Sequence, residues 1–367
     1  MNWFKSLSII FILFAFSSCV HEKSVNNQPN QFPKPASLVT GHIYAFESPG
    51  SYQTIVPGQQ ISIKLKKSDS TKDADSIALF LDGKPVGILT DINAGISIGL
   101  AGIDPGIKRL KLTAFFKDGQ TESTSIPLRF ISDIKPKHYT YRVIAEFPHD
   151  IHAYTQGFEY HDGYFIEGTG QYRESTLRKV LPATGEFIKY RNISPELFGE
   201  GITVLNGKIY QLTWREKIGF VYDADNFEQV RKFSFENAEG WGLCNNLDEI
   251  IMSDGTNVLY FRDPQYFSIN RKIEVFDDIS EVDSLNELEY INGVIYANRY
   301  MTNEIVMIDP ASGKVTGKVD MKGILKREDL NPEINVLNGI AWDSAGKRLF
   351  LTGKNWPKVY QVEFLEK

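Results

Sequence analysis

Short runs of alternating apolar and polar residues, broken by Gly, Asn and Asp, fill this chain from about Leu38 to its C-terminus. Alternation of period two marks strands buried on one face. In the first stretch, Ile61-Ser62-Ile63-Lys64-Leu65 alternates, and Ile77 to Leu81 runs into an Asp82-Gly83 turn. Leu110 to Phe115 and Ile126 to Phe130 continue the pattern. Turn signals every ten or so residues predict an all-β sandwich over 38–133. Lys135-Pro136-Lys137 marks its end, and a second β-rich domain is expected over 138–367.

That second domain repeats. The same strand start recurs as Gln156-Gly157-Phe158, Glu200-Gly201-Ile202, Trp241-Gly242-Leu243, Asn286-Glu287-Leu288 and Asn338-Gly339-Ile340, at intervals of 44, 41, 45 and 52 residues. Repeats of this length built from short strands are the signature of a β-propeller. The second unit is the clearest: Gly201 to Leu205, an Asn206-Gly207 hairpin turn, Lys208 to Thr213, Ile218 to Tyr222 and Gln229 to Phe235. The fourth has the equivalent Asn292-Gly293 turn. The third is expected to use Leu247 to Met252, Val258 to Arg262 and Arg271 to Val275. The fifth ends after its third strand, Lys358 to Phe364. Tyr141 to Phe147 precedes the first unit and has no other partner, so placing it on the edge of the last unit closes a ring of five blades.

A propeller gathers its strand starts around one axis. One ring of groups is then Gln156, Glu200, Trp241, Asn286 and Asn338. A second column at the ends of the second strands is expected to be Glu167, Trp214, Asp254, Tyr300 and Lys354, on the same face. Tyr154 and Phe198 lie beside them in sequence. Aromatic walls with a few convergent polar groups describe a small-ligand pocket. Packing alone would account for one Trp, but not for a ring of mixed charges, since a buried charge without a task is costly.

Composition narrows the classes. A net charge of −6 and the lack of a long basic run argue against nucleic acid as a partner. Met1 to Lys5, the apolar Ser6 to Phe16 and then Ser17-Ser18-Cys19 have the layout of a secretory signal. Cys after small residues resembles a bacterial lipoprotein cleavage site. Residues 1–19 are then the signal, with Cys19 lipidated, and the polar 20–37 is a tether. A plain signal peptide is the alternative, and Phe16 is unusual for a lipoprotein site. The second Cys, Cys244, reads as a buried apolar residue rather than a partner for Cys19. The expected location is the cell envelope, on the periplasmic or outer-membrane face, with the lipid as the only membrane contact and a monomeric protein. The 38–133 pattern resembles the immunoglobulin-like modules of secreted bacterial proteins.

Motifs across all five units carry a more specific resemblance. Tyr154-Thr155-Gln156-Gly157, Phe198-Gly199-Glu200-Gly201, Gln211-Leu212-Thr213-Trp214, Gly240-Trp241-Gly242-Leu243, Leu285-Asn286-Glu287-Leu288-Glu289-Tyr290 and Thr352-Gly353-Lys354 resemble those of plant-type glutaminyl cyclases, the glutamine cyclotransferases. The resemblance implies a five-bladed propeller that converts N-terminal glutamine of peptides or proteins into pyroglutamate and releases ammonia, an aminoacyltransferase activity. It implies Glu200 as the essential acid, Lys354 and Asn286 as groups acting with it, and Gln156, Tyr154, Phe198, Trp214, Trp241 and Tyr300 as substrate-binding walls. Asn338 joins that wall from the repeat register. Tyr154 stands where some members carry Phe, and Tyr300 where Trp is often found.

The chemistry suits these groups. The α-amine must lose a proton to attack the side-chain carbonyl, and the leaving nitrogen must gain one; a single carboxylate near both can serve each step. No cofactor is required by this scheme. A structural calcium near Asp254 and Glu167 is allowed by the resemblance, although a hydrogen-bonding role suits each carboxylate alone. His149, His152 and His161 lack partners for a zinc site and read as surface or strand-edge residues. Two rival classes remain: a propeller lactonase-type hydrolase, which would need a ring of metal ligands, and a non-catalytic peptide- or glycan-binding lipoprotein, which would need no Glu200.

Overall fold

The computed structural model describes residues 42–68 and 72–367. The signal, Cys19 and the tether lie outside the described residues. The described chain is all-β apart from one turn of 3-10 helix at Arg327–Asp329.

The N-terminal strands form two sheets. One orders Tyr44–Ser48, Gln60–Lys67 and Ile96–Gly99; the other orders Thr54–Ile55, Thr121–Phe130, Gly106–Phe116, Ala74–Leu81 and Lys84–Leu89. Residues of Gln60–Lys67 alternate exposed and buried, as the sequence pattern requires. Ile63, Leu79, Leu110, Leu112 and Phe130 are fully buried in the core these strands enclose. The strand pair 74–81/84–89 turns at Asp82 and Gly83, both at positive φ (46° and 80°). That is the two-residue turn whose twist matches a hairpin.

The rest is propeller-like. Three successive antiparallel sheets of four strands run over 155–192, 199–234 and 243–274. An eight-stranded sheet then orders 285–291, 294–299, 304–308, 315–320, 137–148, 358–366, 348–353 and 337–343. Its central member, Lys137–Pro148, lies antiparallel along the last strand, with Tyr141 facing Phe364 and Phe147 facing Val359. Its first residues also pair in parallel with Gly317–Val319, which the sequence did not announce. In the third sheet the expected strand 247–252 is instead a hairpin, Leu243–Asn245 and Ile250–Ser253, turning near Leu247 at φ 79°.

The repeat glycines mark where sheets crowd together. A Cβ on Gly157 would lie 2.3 Å from Ile202 N, one on Gly201 2.4 Å from Trp241 O, and one on Gly242 2.0 Å from Asn286 O. Innermost strands meet backbone to backbone there, and a side chain would hold them apart. The fourth repeat breaks the pattern with Glu287, whose carboxylate accepts from Phe158 N at 3.1 Å and Ile340 N at 2.8 Å. Glu159 likewise accepts from Val204 N, and Glu289 from Trp342 N. Inner strand edges cannot complete a ladder with one another, so these carboxylates satisfy their N–H groups.

Candidate active site

Four of the five strand starts of the repeat sit in a β-bulge; the third, at Leu243–Asn245, pairs in regular register. Register shifts fall between Thr155 and Gly157, Gly199 and Ile202, Leu285 and Leu288, and Leu337 and Ile340. Those intervals contain Gln156, Glu200, Asn286 and Asn338. A bulge breaks the alternation and re-aims a side chain, here toward the centre of the repeat.

Nine of the predicted residues come together. Tyr154, Gln156, Phe198, Glu200, Trp214, Trp241, Asn286, Tyr300 and Lys354, with Gln171, line one cavity of about 180 Å³. Ring contacts join its aromatic wall in two groups. Tyr154 meets Phe198 edge-on at 6.2 Å, Phe198 lies 5.4 Å from Trp214, and Trp241 meets Tyr300 edge-on at 5.4 Å. Two charged groups complete the circuit. Lys354 Nζ sits 4.8 Å from the Tyr154 ring centre and 5.1 Å from that of Tyr300. Between the indoles, one oxygen of Glu239 accepts from both Trp214 Nε1 and Trp241 Nε1 at 2.9 Å.

Glu200 and Lys354 are only 4 % and 3 % exposed. Burial pushes the Glu200 carboxyl well above its ordinary range; Lys354 pulls it down, while Glu239 and Glu216 push it up. Burial also pushes the Lys354 ammonium down to about 8, with Glu200 pulling the other way. The pair therefore holds a carboxyl that keeps its proton to higher pH than an exposed one, beside a cation that persists below about pH 8. Cation–π contacts with two tyrosines offset part of the cost of burying that cation, by about 1–2 kcal/mol.

A relay of amides stands behind Glu200. Gln156 Nε2 donates to Glu200 Oε1 at 3.0 Å. Asn338 Nδ2 donates to Thr155 O at 2.9 Å and reaches Gln156 Oε1 at 3.4 Å. Asn338 thus orients Gln156 from behind and does not line the cavity, contrary to the expectation from repeat register. Asn286 does line it, and its Oδ1 is buried with no protein partner, free to take a donor from a ligand.

The second column needs two corrections. Trp214, Tyr300 and Lys354 directly follow strands ending at Thr213, Arg299 and Gly353. The equivalent of these in the first unit is Gly170, after Thr169, not Glu167. Gly170 is required there because a Cβ would strike the Phe198 ring at 2.4 Å, and Gln171 follows it into the cavity. Glu167 is turned away: it accepts from Thr155 Oγ1 at 2.7 Å and contacts His149 Nε2 at 3.0 Å. Asp254 is in register but accepts instead from Asn237 Nδ2 and Thr256. These two carboxylates belong to separate networks, and no group of three or more His, Cys, Asp or Glu is placed to hold a metal among the described residues.

His149 is not a surface residue. Its side chain is 3 % exposed, with Nδ1 2.7 Å from Trp356 O. Burial disfavours its charge, but Glu167 outweighs burial and raises the imidazole, while the Glu167 carboxyl is lowered. The two form an internal ion pair outside the cavity. Sequence reasoning missed Gln171, Glu239 and Arg215. Arg215 Nε donates to Glu239 at 2.9 Å and its guanidinium stacks 3.7 Å over the Trp214 ring. All three sit in loops beyond the strand register, and only an acid and a base flanking two Trp in sequence hinted at the last two.

Comparisons with known proteins converge on one family. The glutamine cyclotransferase family model matches residues 116–364. A glutaminyl-peptide cyclotransferase of Arabidopsis thaliana is 40% identical over 252 residues, 67% of this chain and 76% of the relative. The crystal structure of Myxococcus xanthus glutaminyl cyclase aligns with a TM-score of 0.59 at 34% identity, over 64% of this chain and 100% of that one.

Proposed function

The chain belongs to the glutamine cyclotransferase family, and we propose from that premise that it cyclises the N-terminal glutamine of peptides, with Glu200 moving the proton. One observation carries the reading: a single buried carboxyl of raised proton affinity, oriented by Gln156, in a small cavity walled by aromatics and faced by one lysine.

The aromatic wall folds the glutamine so that its α-amine meets its own side-chain carbonyl, an entropic gain. Glu200 as carboxylate takes a proton from the attacking amine as the N–C bond forms. Negative charge develops on the amide oxygen, and the Lys354 ammonium with the Asn286 amide stabilises it. Glu200 then returns the proton to the side-chain nitrogen, the old C–N bond breaks, and ammonia leaves behind a pyroglutamyl peptide. Every proton stays within the pocket, so these steps call for no cofactor, and added chelator should leave turnover unchanged.

Ammonia release from a glutaminyl peptide tests the activity. Glu200→Gln keeps the Gln156 contact available and should remain folded, yet lose about 10²- to 10⁴-fold in kcat. Near-normal turnover in that variant sinks the assignment of Glu200, and no ammonia from any glutaminyl substrate sinks the function.

The same reading takes the propeller-like part as a monomeric five-bladed propeller over 138–367, completed by Lys137–Pro148, and the two N-terminal sheets as an immunoglobulin-like module. It takes Cys19 as the lipid anchor that holds the enzyme in the cell envelope. Labelled palmitate should enter the full chain and not a Cys19→Ala variant; equal labelling of both removes the anchor from this account.

A further inference from the structure

Beside the catalytic cavity lies a second and larger one, of about 330 Å³. Met321, Ile324, Leu337 and Trp356, all buried, belong to its lining. Met301 and Leu330 also line it, yet are 70% and 57% exposed, so it opens to solvent past two apolar side chains. Thr302, Asn303 and Asn335 line it too, so the lining is mixed, and the exposed Met301 and Leu330 extend its apolar part. Isolated exposed apolar residues need no explanation, but a pair that continues a buried apolar wall does.

The two cavities share a wall. Tyr300 lines the first and Met301, the next residue, lines the second. On the other side, Lys354 faces the first cavity, while its backbone pairs with the second: Asn335 N donates to Lys354 O at 3.0 Å, and Lys354 N donates to Val336 O at 2.9 Å. A peptide chain that left the catalytic cavity over this wall would meet the second hollow next.

The segment 321–336 forms much of that hollow. It links Val315–Asp320 to Leu337–Asp343, where the other steps from one group of four strands to the next use only 193–198, 235–242 and 275–284. This excess explains the 52-residue interval between Asn286 and Asn338. Connections of this length in compact domains usually carry function. The segment is also held in place: Lys326 pairs with Glu146 at 2.5 Å and Asp329 with Lys358 at 2.9 Å. The hollow is preformed, as a binding site should be.

We propose that this cavity is a peptide subsite that takes a large apolar side chain from the residues following the N-terminal glutamine. The proposal rests on the cyclotransferase reading and extends it to substrate choice. Ammonia release is measured for glutaminamide and for Gln-Gly-Gly, Gln-Leu-Gly, Gln-Gly-Leu and Gln-Lys-Gly amides, with the unaltered chain and with a Met301→Asn, Leu330→Asn double variant. At least one leucine peptide should exceed Gln-Gly-Gly in kcat/KM by roughly tenfold, and the lysine peptide should not. The double variant should lower the leucine-to-glutaminamide ratio by most of that factor; a ratio cancels any difference in folded fraction. A flat series with active glutaminamide overturns the subsite alone, as does a leucine preference unchanged in the variant. No ammonia from any substrate, glutaminamide included, overturns the reading of function and the subsite with it.

Discussion

Glu239 gives one carboxylate oxygen to two indole N–H groups and the other to Arg215. Burial tends to raise its carboxyl, but the Trp241 and Trp214 donors and Arg215 hold it below the usual range, so it is the charged form that binds the rings. Trp214 is then fixed on two sides, by Arg215 stacked on its face and by Glu239 at its edge. Two walls of the cavity are thus tied to one carboxylate, which matters when a flexible glutamine must be bent onto itself. Glu239→Leu should cost about tenfold to a hundredfold in kcat/KM and broaden tryptophan fluorescence, while Glu239→Gln, which keeps an acceptor, should recover most of the loss. Equal losses in the two variants would mean that its charge, not its hold on the indoles, is what counts.

At the scale of the strand, the bulge is the device that turns a repeat into a site. It aims Gln156, Glu200 and Asn286 into the cavity and is followed by a glycine or by Glu287, which settles how closely the next sheet approaches. Gly201 N also donates to Trp241 O at 2.7 Å, tying the second sheet's start to a wall residue of the third. Gly201→Ala forces a Cβ to within 2.4 Å of that same oxygen, so the backbone must part. The variant should lose about 1–3 kcal/mol in denaturant unfolding and more activity than its folded fraction explains. Unchanged stability would mean that the inner strands separate without strain. The recurring strand start was legible in the sequence, but the bulge was not: a bulge shows in the pairing partner, which the local sequence does not name.

The molecule as a whole stores acid near its centre. Burial raises Glu287 and Glu289 well above the ordinary range and Glu159 to about 7, against backbone donors that lower Glu159 and Glu287. A carboxyl raised on folding binds its proton more tightly in the native state. Its contribution is complete below about pH 4.5 and lost as pH rises through about 7. Glu159→Gln keeps an oxygen for Val204 N and removes the charge. It should raise the melting temperature by roughly 3–8 °C at pH 8 and change little at pH 5; an equal shift at both would show a packing effect instead. The repeat length, the hairpin turns and most strands followed from the sequence alone, because alternation and Asn-Gly turns are local properties of the chain. So did nine of the ten residues that line the cavity, all but Gln171, because motif and register travel together. Tertiary structure decided what depends on partners far apart in sequence: that Lys137–Pro148 joins two groups of strands, that Asn338 stands behind Gln156 rather than beside it, that Glu167 pairs inward with His149, and that Glu239 binds both indoles. Register tells which residues come near the centre, but only packing tells which of them face the cavity, since each side chain turns to whatever donor, ring or backbone its neighbours leave for it.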